Sequence, residues 1–205
     1  MLHGVDASSP AAWKTIRDAG YVFGFAQAAL GSKKNDHFAS NWRAMKACGL
    51  ARGAYHFLTP TQDGASLARV LVEQLGQDRG ELPPTIDLEK PPNCEDECCE
   101  KPCSFWQSLV RSYLDELEKN GIDKVLVYFV EPFFNQCMCG SQALKKHPLF
   151  LAAWPKFDWP EKVRTGGFGQ WTFYQYKGNV RAGGGVIDLD VFRGTREDLE
   201  ALRPK

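Results

Sequence analysis

The sequence predicts a single α/β domain folded as an incomplete (β/α) barrel, and three observations predict it. Apolar runs that end in polar residues alternate with helical patterns from the N-terminus to about Ala153. That order yields a parallel sheet with right-handed crossovers. Helical periodicity then disappears, so the last third reads as mostly β and the barrel as something other than a regular eightfold one. Finally, 205 residues suit one sizeable core, which makes the whole chain, 1–205, one domain.

The strands are expected at Val5-Asp6, Tyr21 to Gln27, Ala51 to Phe57, Thr85 to Glu89, Lys124 to Phe129 and Leu149 to Ala153. Several are apolar enough to be buried on both faces. Helical patterns lie between them, at Pro10 to Ala19, Phe38 to Cys48, Gly64 to Leu75 and Ser104 to Asn120. Ser9 before Pro10 reads as an N-cap followed by proline in the first turn, and Gly20, Gly49 and Gly121 stand where helices should stop. Gly169 to Tyr176 and Val186 to Val191 read as strands joined by a turn at Gly183-Gly184-Gly185, with a short helix from Arg196 to Leu202 at the end.

Composition narrows the function. Lys and Arg number 25 against 25 Asp and Glu, so no basic excess exists to displace counterions from nucleic acid. No apolar run approaches the roughly 20 residues of a membrane-spanning helix. Met1-Leu2-His3-Gly4-Val5-Asp6 has neither a basic n-region nor an apolar h-region, so no secretory signal is expected there. Gly183-Gly184-Gly185 lacks the Lys and Ser/Thr of a phosphate loop and reads as a turn.

In parallel barrels the C-terminal ends of the strands converge on one mouth. Asp6 ends the first strand, and Asp87 and Glu89 end the fourth. Residues i and i+2 of a strand share a face roughly 6.6 Å apart, so Asp87 and Glu89 should both face the mouth and together hold a proton more tightly than either alone. That suits a general acid beside an ionised partner. Taken singly, such acids also cap helices or pair with a neighbour such as Lys90. A third segment, Ile187 to Phe192, carries Asp188 and Asp190 on one face, and acids at the ends of three strands of one barrel are harder to read as caps.

These segments resemble the Chalaropsis-type lysozymes, the muramidases of glycoside hydrolase family 25. The matching stretches are His3-Gly4-Val5-Asp6-Ala7-Ser8, Ala51 to Phe57, Ile86-Asp87-Leu88-Glu89, Val127-Tyr128, Leu149 to Trp154, Tyr174-Gln175-Tyr176 and Gly185 to Phe192. The resemblance implies a flattened, irregular TIM-like (β/α)5(β)3 barrel. It also implies hydrolysis of the β-1,4 bond between N-acetylmuramic acid and N-acetylglucosamine in bacterial peptidoglycan, outside the cytoplasm, after secretion, phage release or effector delivery. Glu89 is then the general acid. Asp87 is its ionised partner, orienting the substrate's own 2-acetamido group or acting on the oxocarbenium-like centre. Asp6 and Asp188 complete the catalytic acids. Tyr128, Trp154, Tyr174, Gln175, Tyr176, Gln27 and Asp190 are the substrate-binding candidates, with aromatic rings offered to the apolar faces of sugars; Trp171 is a further aromatic candidate. His56 is expected to be a hydrogen-bonded interior residue. No cofactor and no metal is expected.

The sequence also departs from that family. Strand two of the family carries a Lys, a Thr and a Glu before its glycine, whereas Phe25 to Gly31 here has none of them, leaving Gln27 as an uncharged hydrogen-bonding group. Tyr174 stands where a tryptophan is common. The stretch from Pro91 to Cys103 is an insertion carrying Cys94, Cys98, Cys99 and Cys103. It is expected beside the groove, where it could cover subsites or meet a partner or delivery protein. Disulfides, including one to Cys137 or Cys139, are expected there over a zinc cluster, with Cys48 left as the free thiol. Two other readings compete: a non-catalytic glycan-binding module on a degenerate hydrolase barrel, and a metal-dependent hydrolase with Asp6, Asp87 and Glu89 as ligands.

Overall fold

The computed structural model describes residues 1–154, 164–182 and 185–204. Its elements run β1 (Leu2–Ala7), α1 (Trp13–Asp18), β2 (Phe23–Leu30), β3 (Lys33–Lys34), α2 (Phe38–Ala47), β4 (Ala51–Phe57), α3 (Gly64–Leu75), β5 (Thr85–Leu88), α4 (Cys103–Lys119), β6 (Leu126–Val130), α5 (Glu131–Gln136), a 3-10 turn (Gln142–Lys146), β7 (Leu149–Ala152), β8 (Phe173–Ala182), β9 (Gly185–Phe192) and α6 (Arg196–Ala201). Five strand–helix units are thus followed by three strands, the (β/α)5(β)3 order. The strands β1, β2, β4, β5, β6, β7 and β8 pair in parallel in that order. β9 pairs antiparallel with both β8 and β1 and so closes an eight-stranded barrel, while β3 folds back on the extended end of β2.

Period-two alternation sorts the strand side chains into two apolar layers. Phe23, Phe25, Phe150, Phe173 and Phe192 fill the barrel interior, with Phe25 edge-on to Phe173 at 5.3 Å between centroids. Val5, Ile86, Leu88, Val127 and Leu151 face outward and pack with Trp106, Tyr113 and Phe133 of the surrounding helices. Gly4 makes the inner layer possible: a Cβ there would stand 2.1 Å from the Phe23 ring. Gly49 and Gly121 follow the C-termini of α2 and α4 at positive φ, as their sequence positions implied.

The first helix departs from expectation. It begins at Trp13 after Ala12, without a side-chain cap, and Ser9 donates to the Val186 carbonyl instead. Asn41 of α2 explains this, because its Oδ1 accepts from the Ala11 N–H and the Trp13 indole while its Nδ2 donates to the Ser9 carbonyl. Those bonds keep residues 9–12 out of the helix and beside the start of β9. Two short elements, α5 and the 3-10 turn, carried too few residues for a periodic signal. Gly183 and Gly184 of the expected turn lie outside the described residues.

The cysteines pair as Cys94–Cys99, Cys98–Cys137 and Cys103–Cys139, with Cys48 free. The two longer links join the insertion after β5 to the segment after α5, as the sequence suggested, and leave none of the six sulfurs as a zinc thiolate. By loop-closure entropy, each of these two links contributes about 4 kcal/mol at most, and less in combination because their loops overlap. Reduction under native conditions is therefore expected to lower Tm by several degrees. Scanning calorimetry with and without a phosphine reductant, with thiols counted by mass, checks this; an unchanged Tm in the fully reduced chain would show that the links brace nothing.

Candidate active site

Strand direction decides which acids meet. Asp6 lies near the C-terminal end of β1, and Asp87 and Glu89 lie at and just beyond that of β5, all on the inward-facing register with Thr85. β9 runs the other way, so its first half reaches the same mouth and places Asp188 directly opposite Asp6. The four carboxyls line one cleft of about 240 Å³ together with Gln27, Tyr55, Tyr128, Trp154 and Gln175. Among the described residues no Lys or Arg lines it. A larger hollow, about 470 Å³, lies at the opposite end of the barrel beside Arg52 and Glu81. At that end Arg52 is buried and bonded at 2.8 Å to both Asp78 and Glu81, a bracing role at the barrel's stable face.

Gln175 organises the mouth. Its Oε1 accepts from the Tyr128 hydroxyl at 3.0 Å and from the Trp154 indole at 2.9 Å. Its Nε2 donates to Asp6 Oδ2 at 2.6 Å and, more weakly, to Asp188 Oδ2 at 3.4 Å. Asp188 Oδ1 accepts the Asn179 backbone N–H at 2.6 Å. Tyr128 thus holds Gln175. Trp154 is 48% exposed, its ring lying over Gly178, where a Cβ would stand 2.7 Å from the indole. Gln27 accepts from Asn35 Nδ2, which also donates to the Ser8 carbonyl.

The alternation that brings Gln175 inward turns its neighbours outward. Tyr174 is buried in the outer layer with Trp171 and donates to the Ala153 carbonyl at 2.6 Å, and Tyr176 packs half-buried against the same layer. Neither lines the cleft, which corrects the expectation that both face the groove, and Trp171 lies with them. Asp190 is corrected as well: it points inward but one level below the mouth, fully buried. His56 is interior as expected, its ring nitrogens bonded to the Tyr113 hydroxyl and the Gly31 carbonyl.

Ser8, Tyr55, Phe57, Thr85, Phe150 and Asn179 also line the cleft without being candidates from the sequence, and two of them act on its acids. Tyr55 stands among the acids, its phenol kept protonated by burial and by Asp6, Asp87, Asp188 and Glu89. The alternation that sends His56 outward would have found it. Asn179 sits at φ +60°, where the β8 register shifts, and the Gly178-Asn179 pair was the available signal.

Burial pushes all four mouth carboxyls upward, and repulsion from neighbouring acids adds to it at Asp6, Asp87 and Glu89. Glu89 is raised to about 7, first by burial, then by Asp188 and Glu97. Asp87, 4% exposed, is raised well above the ordinary carboxylate range by burial and then by Glu89, Asp6 and Asp188. Asp6 is raised by burial and Asp188, against the Gln175 hydrogen bond, and Asp188 is raised by burial against the Asn179 N–H. Asp87 Oδ1 has no hydrogen-bond donor among the described residues. The cleft therefore favours the protonated form of its acids, Glu89 shifting to about 7, and Asp87 Oδ1 is an acceptor oxygen that a bound N–H can fill.

A family model described as glycosyl hydrolases family 25 matches residues 5–185. The chain is 28% identical to the uncharacterized protein YegX of Escherichia coli (strain K12), over 98% of this chain and 73% of that protein. It is 26% identical to lysozyme M1 of Streptomyces globisporus, over 98% of this chain and 71% of that protein. The solved bacterial lysozyme of Streptomyces coelicolor superposes with a TM-score of 0.86 at 26% identity, covering 99% of this chain and 97% of that one. The family GH25 lysozyme of Aspergillus fumigatus shows the same fold, with a TM-score of 0.85 at 23% identity, covering 100% and 99%.

Proposed function

The chain belongs to glycosyl hydrolases family 25 and is a peptidoglycan-directed glycoside hydrolase of the lysozyme type, and on that premise we propose that it cuts the β-1,4 bond from N-acetylmuramic acid to N-acetylglucosamine. The observation that carries this reading is the pair Asp87 and Glu89 at one strand end, raised by burial in an open cleft that no Lys or Arg lines among the described residues. Glu89, with its carboxyl near 7, donates its proton to the glycosidic oxygen as the bond to C1 breaks. The carbonyl oxygen of the muramic 2-acetamido group attacks C1, forming an oxazolinium while the C–O electron pair leaves with the protonated sugar. Asp87, as the carboxylate, accepts the acetamido N–H, which supplies the donor that its Oδ1 lacks among the described residues. Glu89, now a carboxylate, takes a proton from the water that reopens the ring, and the anomeric configuration is retained.

The surrounding residues orient. Trp154 offers an exposed indole face to a sugar ring, held by Gln175 Oε1, to which Tyr128 also donates, while Asp6 accepts from the nitrogen of the same amide. The substrate is the glycan strand of bacterial peptidoglycan, so the site of action is the cell wall outside the cytoplasm. Incubation with purified sacculi separates this reading from a binding module: falling turbidity with soluble muropeptides is expected, whereas pelleting with sacculi that stay intact would leave binding alone.

The pH dependence has a defined sign. The working state needs a proton on Glu89, so kcat/KM is expected to fall as pH rises through about 7, toward tenfold per unit. It should fall again on the acid side when Asp87 also keeps its proton. An activity that climbs steadily to pH 9 would remove Glu89 from the acid role.

A further inference from the structure

Asp190 is fully buried in the barrel wall, and no N–H or hydroxyl donor among the described residues reaches either of its carboxyl oxygens. It stands opposite Gly4 of β1 and Gln175 of β8, one level beneath the Asp6–Asp188 pair and above the phenylalanine layer that begins at Phe192. Gly4 has no side chain to offer it. Among the described residues, its one side-chain hydrogen-bond partner in reach is another acid, Asp6.

Two carboxylates cannot share such a contact without a proton between them, and the surroundings say which keeps it. Asp6 lines the cleft and already accepts from Gln175 Nε2 at 2.6 Å. Asp190 has no donor and no solvent. The titratable groups around it are Asp6 from β1, Asp188 from its own strand and Tyr176 from β8, with no cation among them. Resting on the reaction proposed above, we propose that Asp190 is a positioning residue: a neutral carboxylic acid whose O–H donates to Asp6 and, with Gln175, holds that carboxylate in place at the mouth. Burial and the neighbouring carboxylates push Asp190 well above the ordinary range, and the same hydrogen bond pulls Asp6 downward against its own burial.

Asp6 is thereby gripped from below by an acid and from the side by an amide. Gln175 is held in turn by Tyr128 and Trp154, so the grip reaches a sugar-stacking ring. Asp190 touches no substrate and acts only through Asp6.

Infrared difference spectroscopy at pH 8 between the wild type and Asp190→Asn reads the proton directly. Loss of one protonated carboxyl C=O stretch is expected; loss of a carboxylate band instead would overturn the proposal. Asparagine keeps a donor for Asp6, so its kcat is expected within about threefold of wild type, whereas Asp190→Leu, which cannot donate, should lose roughly tenfold to a hundredfold. A folded Asp190→Leu chain with unchanged kcat would also overturn it. Should Asp190→Leu fail to fold, the infrared result for asparagine still decides. A wild type inert on peptidoglycan would sink the proposed function and leave the infrared test of the proton standing.

Discussion

Glu89→Gln is expected to lower kcat on purified peptidoglycan by roughly a hundredfold to ten-thousandfold, the span that general acid catalysis supplies. Glutamine keeps the size of the side chain and removes the transferable proton. The same change should raise Tm at pH 8. Glu89 has its carboxyl at about 7 in the folded chain against an ordinary 4.5, so the folded state binds the proton more tightly than the unfolded one. The stability this confers is complete below about 4.5 and is lost as pH rises through about 7. At pH 8 the wild type carries an ionised Glu89 among other acids, and the variant does not. The Tm advantage of the variant should therefore be largest at pH 8 and shrink towards pH 5. A residue that merely supported the fold would lose stability at both values. Calorimetry at the two pH values, beside kcat, tells these apart; unchanged kcat would take the acid role from Glu89.

Asp87→Asn is expected to cost roughly a hundredfold to a thousandfold in kcat, comparable to deleting one electrostatic stabiliser of a transition state. Asp87 is pushed upward by burial and by three other acids, and one of its oxygens lacks a donor among the described residues. Substrate supplies that donor as an N–H, and a deprotonated Asp87 then stabilises the positive charge that develops on the oxazolinium. Asparagine preserves an acceptor oxygen without the charge, so KM should change less than kcat. Progressive fluorination of the substrate's N-acetyl group should slow the wild type steeply, because its carbonyl oxygen is the nucleophile. A rate indifferent to fluorination would move the nucleophile from the substrate to Asp87 itself.

Much of the site was legible because β5 is regular. Thr85, Asp87 and Glu89 alternate with Ile86 and Leu88, and that pattern alone placed both acids on the inner face. Asp6 followed from its position at a strand end. The errors cluster where direction or level matters more than alternation. Asp188 and Asp190 share a face, yet β9 is antiparallel, so the earlier residue reaches the mouth and the later one is sealed beneath it. Tyr174 and Tyr176 flank Gln175, and aromatic character suggested a groove that their outward register denies them. Ser9 and Pro10 carried a strong local helix signal, overridden by Asn41, a contact across 32 residues that no local pattern reveals. Tyr55 faces the cleft because alternation along β4 turns it opposite to His56, which bonds Tyr113 of α4.

Borohydride reduction of the fragments released from purified peptidoglycan, followed by mass analysis, tests the central claim most directly, since it identifies which sugar was freed at C1. N-acetylmuramitol at the reduced ends, absent when Glu89→Gln is used at equal concentration, is the expected result. N-acetylglucosaminitol at those ends, or muramitol released undiminished by the variant, would contradict the assignment of the bond or of the acid.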